Sequence, residues 1–199
     1  MDICKTKVIP KAETIKEHTE VMDVTQCKLV MGLRTEIAYP NEDVAAVILM
    51  NALFGGTPQS KLFLNVREKH SLCYYCASKY NKHKGIMFIQ CGVEQNKIEE
   101  AKKEIMRQLK EVKIGNFTDQ DLKETKLYLS QSLKSVEDSL SSLNSWYLSS
   151  SFLDDVTSPE ELIKKINNVT REKVIEAANK VTLDTVYTLC GKEKNKEQC

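Results

Sequence analysis

Histidine is scarce in this sequence: His18, His70 and His83 are the only three in 199 residues. None has a second histidine or a carboxylate at helical ligand spacing, so local spacing builds no metal site. His18-Thr19-Glu20 is a lone coincidence in an expected strand entry. HExxH, HxxEH, a P-loop and GxSxG are all missing, which removes the common local signatures of zinc hydrolases, nucleotide phosphate binders and serine hydrolases. An excess of one charge is missing too: 29 basic residues face 28 acidic ones, for a net of +1. A nucleic-acid binder more often shows a strongly basic patch, and Lys82-His83-Lys84 reads as a solvated turn. No nucleic-acid partner is expected.

Long apolar runs are absent. None reaches the ~18 residues of a membrane span, and the start, MDICKTKVIPKAETIKEH, lacks the hydrophobic stretch of a signal peptide. The expectation is a cytoplasmic chain without membrane contact, in which the sequons at Asn116 and Asn168 are chance matches. The seven cysteines, at 4, 27, 73, 76, 91, 190 and 199, are odd in number and scattered, which suits reduced thiols better than a disulfide framework. Cys73-Tyr-Tyr-Cys76 has redox-motif spacing. Reactive pairs normally sit at a helix N-terminus, whereas this one lies in a tyrosine-rich strand, where residues three apart point to opposite faces. Both are read as structural cysteines, and a structural zinc site lacks a second CxxC or HxxxH to complete it.

What is present is a well-punctuated α+β pattern. Cys27, Leu29, Met31 and Leu33 alternate as one face of a strand. Asn41 is placed to cap a helix with acids in its first turn, and VAAVILMNALF is apolar nearly all round, as a helix deep in a core would be. Gly55-Gly56 is expected to end it in a left-handed turn, with Thr57 and Pro58 opening the next helix, which runs to about Lys69. Strands are expected from Leu72 to about Tyr80 and from Ile86 to Val93, joined by the hairpin turn NKHKG. A Lys/Glu-rich helix follows from about Asn96 to Val112. Gly115 breaks it, and Thr118 caps one long helix to about Phe152, with an apolar stripe from Leu122 through Leu129, Leu133, Leu140 and Tyr147. Ser158-Pro159-Glu160-Glu161 is a capping box, Thr170 caps another helix, and a strand from Thr185 to Leu189 closes the pattern. The fold class is therefore α+β, an antiparallel sheet covered by several helices. No repeat or linker divides residues 1–199, with 1–20 as lead-in and first strand region and 191–199 as a charged tail.

The stretch LFGGTPQSKLFLNVREKHSLCYYCASKY, residues 53–80, carries a Gly-rich turn followed by Ser-x-Leu-Phe, Arg-Glu and Leu-x-Tyr. It resembles a signature of the insulinase/pitrilysin zinc peptidases, which both homologous halves of those enzymes carry. The order of the later elements agrees, through Thr118-x-x-x-Leu122 and Ser158-Pro-Glu-Glu-Leu162 to Val169-Thr170, so the resemblance runs from about Cys27 to Gly191. The family's catalytic half binds zinc through H-x-x-E-H, which is missing here. The sequence is therefore similar to the other, C-terminal and non-catalytic half, as in bacterial processing-protease-like members, and is expected to be a piece of a longer protein.

The resemblance implies an α+β half-domain that helps close a peptide-binding chamber opposite the zinc-bearing half. It also implies an arginine followed seven residues later by a tyrosine, and Arg67 and Tyr74 stand at that spacing. Tyr74 would hydrogen-bond near the scissile carbonyl and Arg67 would hold the substrate backbone. Read as residues alone, the same pair is a helix-end ion-pair partner and a half-buried strand tyrosine. The implied cofactor is zinc in the homologous half and none in this chain, which should be inactive alone. The implied partners are that half or subunit, a peptide substrate, and a second copy by self-association. The alternative is a non-enzymatic partner or scaffold subunit of an active homologous peptidase. A thiol redox module built on Cys73 and Cys76 is a further rival.

Overall fold

A computed structural model describes residues 9–151 and 157–192. Five strands form one sheet: β1 (Lys16–Met22), β2 (Cys27–Arg34), β3 (Cys73–Asn81), β4 (Ile86–Val93) and β5 (Thr182–Gly191), in the order β1-β5-β2-β4-β3. Every pairing is antiparallel except that of β1 with β5. The α+β class holds, and the parallel edge pair is a departure from the antiparallel expectation. The chain enters on β1 at the far side of β5, whose Thr185 pairs with Lys16 across 169 residues, so no hairpin dictates the direction.

Alternation along the strands separates two faces. Leu29, Met31 and Leu33 of β2, Met87, Ile89 and Cys91 of β4, and Cys76 of β3 are buried against the helices. Val30, Gly32, Phe88 and Tyr187 border a shallow hollow on the opposite, open face. The covering layer is α1 (Val44–Asn51), α2 (Ile98–Lys113), α3 (Asp119–Lys134), α4 (Leu140–Ser151), α5 (Pro159–Asn167) and α6 (Arg171–Asn179), with wider π-helical turns at Ala52–Gly56 and Leu62–Lys69. α1 is buried from Val44 to Val47 and at Leu49 and Met50, as its all-round apolar sequence predicts. In α2 the buried Ala101, Ile105, Leu109 and Val112 recur at three and four, which leaves the Lys/Glu face to solvent.

Helix starts follow from local bonds. Thr118 Oγ1 accepts from the Asp121 amide at 3.0 Å while Asp121 Oδ2 accepts from the Thr118 amide at 2.8 Å. Ser158 and Glu161 repeat the exchange at 3.2 and 2.9 Å, with Pro159 in the first turn. Thr170 Oγ1 caps α6 through the Lys173 amide at 3.3 Å. Arg171 then ties α6 to the loop before α3: it donates to the Gly115 carbonyl at 2.6 Å and to the Phe117 carbonyl at 2.5 Å, and pairs with Asp119 at 2.9 Å. Gly115, at φ +76°, turns that loop in the left-handed region that glycine tolerates.

Four expectations need correction. Asn41 does not cap α1: its side chain accepts from the Asp43 amide at 2.8 Å, closing a turn before the helix, and no acid lies in the first helical turn. Gly55 and Gly56 are not left-handed. The chain instead widens into the Ala52–Gly56 turn, and a Cβ on Gly55 would lie 2.6 Å from Leu62 Cδ1, 2.6 Å from Ser78 Oγ and 2.9 Å from the Ser78 amide nitrogen. Glycine is there because this turn lies directly on β3. Thr57-Pro58 starts a turn rather than a helix, and the next helical segment begins at Leu62, with Ser60 Oγ accepting from the Phe63 amide at 3.4 Å. The long helix from Thr118 is two, α3 and α4, and its expected end at Phe152 lies outside the described residues. At the break Ser135 Oγ donates to the Ser132 carbonyl at 2.8 Å, and Ser139 Oγ accepts from the Ser142 amide at 3.4 Å, a cap-type bond where α4 begins. Beyond the break the apolar stripe leaves the core, with Leu140 87% exposed.

Among the described residues no helix is long and apolar enough to cross a membrane. Two stability predictions follow from the contacts above. Gly55→Ala should lower unfolding free energy by about 1–3 kcal/mol, because one neighbour of the new methyl is backbone and cannot rotate away. Ser158→Ala should cost about 1 kcal/mol through the lost cap. Urea unfolding of each variant measures both, and an unchanged Gly55→Ala midpoint would contradict the close approach.

Candidate functional site

Arg67 lies in the Leu62–Lys69 segment, whose last turns are wide: the His70 amide donates to the Asn65 carbonyl at 3.1 Å and the Leu72 amide to the Val66 carbonyl at 3.0 Å. Leu62 and Val66 are fully buried, which anchors one side of the segment and leaves Arg67 facing outward. Its guanidinium sits 4.7 Å from the Phe63 ring centroid, one turn back, and its Nε lies 3.5 Å from Glu68 Oε1. The ion pair expected from residues alone is therefore present, and the side chain is held from two directions while 42% exposed.

Tyr74 sits where β3 begins. Cys73 pairs with Val93, but Tyr75 pairs with the adjacent Gly92, so Tyr74 is an extra residue without a partner on β4, a β-bulge. Its side chain is 60% exposed, more than the half-buried strand residue expected from the pattern. Arg67 and Tyr74 line one depression, together with Glu68, Ser71, Cys73 and Glu94. Tyr74 also borders a second hollow with Thr25, Gln26 and Tyr75. Lys97 Nζ closes the rim by bonding the Ser71 carbonyl and Glu94 Oε1, both at 3.3 Å.

The bulge overturns one expectation about the cysteines. In an unbroken strand Cys73 and Cys76 would face opposite ways, but one inserted residue restores them to the same face. Cys91, opposite Cys76 on β4, joins them, and the three sulfurs lie within 4.8 Å of one another. Cys91 was missed because nothing local links position 91 to the Cys73–Cys76 pair. Only the β3–β4 register does. Interaction with the Cys76 and Cys91 thiols, and then the Arg67 cation, holds the Cys73 thiol below the ordinary range against some desolvation. Cys76 and Cys91 are pushed upward, by their bonds to Cys73 and by burial.

A different hollow lies by α1, lined by Tyr39, Asn41, Ile48, Lys82, Trp146 and Lys165. Lys82 is not the freely solvated residue its charge run suggests, since its ammonium lies 5.7 Å from the Tyr39 ring and 5.4 Å from the Trp146 ring. Burial, then the Lys165 charge, lowers its pKa.

A histidine-based catalytic zinc does not fit these residues. His70 has a carboxylate within reach, Glu104 at 3.9 Å, but that carboxylate is engaged by Arg107 and Gln108 at 2.7 Å. Among the described residues, no group of metal-capable side chains containing a histidine converges.

The family model described as Peptidase M16 inactive domain matches residues 2–129. M16 is the insulinase/pitrilysin family whose signature residues 53–80 resemble. A Bacillus subtilis (strain 168) protein named "Probable inactive metalloprotease YmfF" is 38% identical over 94% of this chain and 43% of its own length. A second protein of that strain, "Uncharacterized zinc protease YmxG", is 26% identical over 79% of this chain and 40% of its own. The chain thus spans less than half the length of these curated relatives. Among solved structures, a conserved protein from Enterococcus faecalis V583 superposes with a TM-score of 0.86 at 28% identity, over 96% of this chain and 44% of that one. An M16 inactive domain from Pseudomonas fluorescens has the same fold, with a TM-score of 0.79 at 19% identity over 98% of this chain and 48% of that one. The family match and the identity to the first relative make this chain a member of the M16 peptidases, in their inactive domain.

Proposed function

We propose that this chain forms the non-catalytic wall of a peptide-binding chamber, facing a homologous zinc-bearing half, and that Arg67 and Tyr74 bind the peptide there. One observation carries the reading: the two residues, brought from a helical segment and a strand, border the same exposed depression in an M16 inactive domain. Tyr74 offers a hydroxyl donor and Arg67 a fork of N–H donors, while an extended peptide supplies a row of carbonyl acceptors. The Phe63 contact and the Glu68 pair limit the conformations of Arg67, which reduces the ordering cost of binding. In this role Tyr74 donates to the peptide near the scissile carbonyl and Arg67 holds the backbone alongside. Zinc, supplied by the opposite half, would provide the hydrolytic chemistry. This chain positions the peptide.

A second reading has its own support, since the relative at 38% identity is named an inactive metalloprotease. In that case the whole protein to which this chain belongs serves an active homologous subunit, supplying a chamber wall in trans. The peptide-binding role of Arg67 and Tyr74 is the same in both. What differs is the origin of the zinc, so the whole protein cleaves peptides alone in the first reading and only with its partner subunit in the second.

Arg67→Ala and Tyr74→Phe, each in the assembled protein, should lower kcat/KM for peptide cleavage by about 100-fold, the scale of one lost donor at a developing charge. Both side chains are exposed, so the thermal midpoint should hold, and wild-type kinetics in both variants would refute the assignment. The purified 199-residue chain with added zinc should cleave no peptide. Zinc-dependent turnover by that chain would refute its non-catalytic role.

A further inference from the structure

We propose that Cys73, Cys76 and Cys91 form a three-thiolate site for one soft d10 metal ion, zinc(II) or copper(I). The site is independent of the catalytic zinc of this family, and its assignment does not rest on the peptide-binding reading. Its first support is distance. Sulfurs bound to one ion at ~2.3 Å lie roughly 4 Å apart. The three sulfurs already lie within 4.8 Å of one another, so small side-chain rotations close the site. Its second support is the backbone that brings them there. Cys76 and Cys91 are register partners on adjacent strands, and the bulge at Tyr74 swings Cys73 onto their face.

Donor chemistry narrows the ion. Thiolates select soft or borderline ions over calcium or magnesium, which take oxygen ligands. Three protein ligands leave an open coordination position in the zinc case and complete a trigonal set in the cuprous one. Cys76 is 4% exposed and Cys91 0%, so the open side lies toward half-buried Cys73, which borders the Arg67–Tyr74 depression. Three thiolates around zinc leave one net negative charge, and the Arg67 cation already acts on Cys73. Thiols must lose their protons to ligate the ion, so affinity rises with pH.

The test is anaerobic titration of the reduced protein with cobalt(II), as a spectroscopic stand-in for zinc, and separately with copper(I) against a chromogenic chelator. The expected result is uptake of one equivalent, with a near-ultraviolet thiolate-to-cobalt charge-transfer band that zinc(II) abolishes, or one equivalent of chelator-resistant copper(I). Which arm responds identifies the ion. Cys73→Ser, at the most accessible ligand, should weaken uptake by about 100-fold or more, since losing even a supporting neighbour of a ligand costs 10–100-fold. Cys4→Ser with Cys199→Ser should leave it unchanged. The bound ion should also raise the thermal midpoint, as a ligand of the folded state does. Failure of both ions to bind stoichiometrically, or uptake unaltered by Cys73→Ser, would overturn the site. So would a protein that takes up no metal while peroxide joins two of the three thiols as a disulfide.

Discussion

One unpaired residue, Tyr74, organises this end of the molecule. β3 pairs with β4 in one register from Asn81 back to Tyr75 and in a register shifted by one at Cys73. In a strand a shift of one residue exchanges the two faces. Everything before the bulge is therefore inverted relative to a continuous strand: Cys73 turns toward the core side, and Tyr74, left without a partner, goes outward. The neighbourhood accommodates this, because Gly92, opposite Tyr75, has no side chain and the Tyr75 ring lies across it. The exposed tyrosine and the buried thiol cluster are two results of the same inserted residue.

The other half of the depression depends on a second backbone irregularity. The turns at Ala52–Gly56 and Leu62–Lys69 are both wider than an α-helix, and both pack on β3. Gly55 allows the first to approach so closely that Ser78 Oγ and the Ser78 amide would meet any Cβ. Leu62, fully buried, fills the adjacent space and fixes the start of the second turn. Wide turns recur at functional sites because they rotate later side chains relative to a regular helix. Here the residue carried outward is Arg67. Substitutions at Gly55 would thus reach the Arg67–Tyr74 depression through packing, without touching either residue.

The sequence discloses some of this much better than the rest, and the division follows the range of the interactions. Thr118, Ser158 and Thr170 were legible as helix starts because a cap is a bond between residues three apart. The β3–β4 hairpin was legible because Gly85, at φ +62°, marks its turn. The parallel direction of β1 was not, since its partner lies at the other end of the chain. The α3–α4 break was hidden by a leucine spacing that continues through it, while the Ser139 bond at the start of α4 carries no periodic signal. Arg67 and Tyr74 stood out only through resemblance to a family motif, because neither residue type nor spacing by itself separates a peptide ligand from a surface ion pair.

The thiols show how far local reading can mislead. Strand alternation is a sound rule, and applied to Cys73 and Cys76 it separates them. It fails because the residue between them that breaks the alternation is recognisable only from the pairing with β4. The third sulfur comes through that same pairing, since Cys91 is the register partner of Cys76. A cluster assembled by strand register has no sequence motif to find, unlike the closely spaced pairs of common zinc modules. It also has a mechanical consequence. An ion held by Cys73, Cys76 and Cys91 would tie the bulge to the neighbouring strand and fix Tyr74 between two anchored positions. Metal occupancy would then set how rigidly the tyrosine is presented at the depression, which joins the thiol cluster and the proposed peptide-binding surface through the backbone of one bulge.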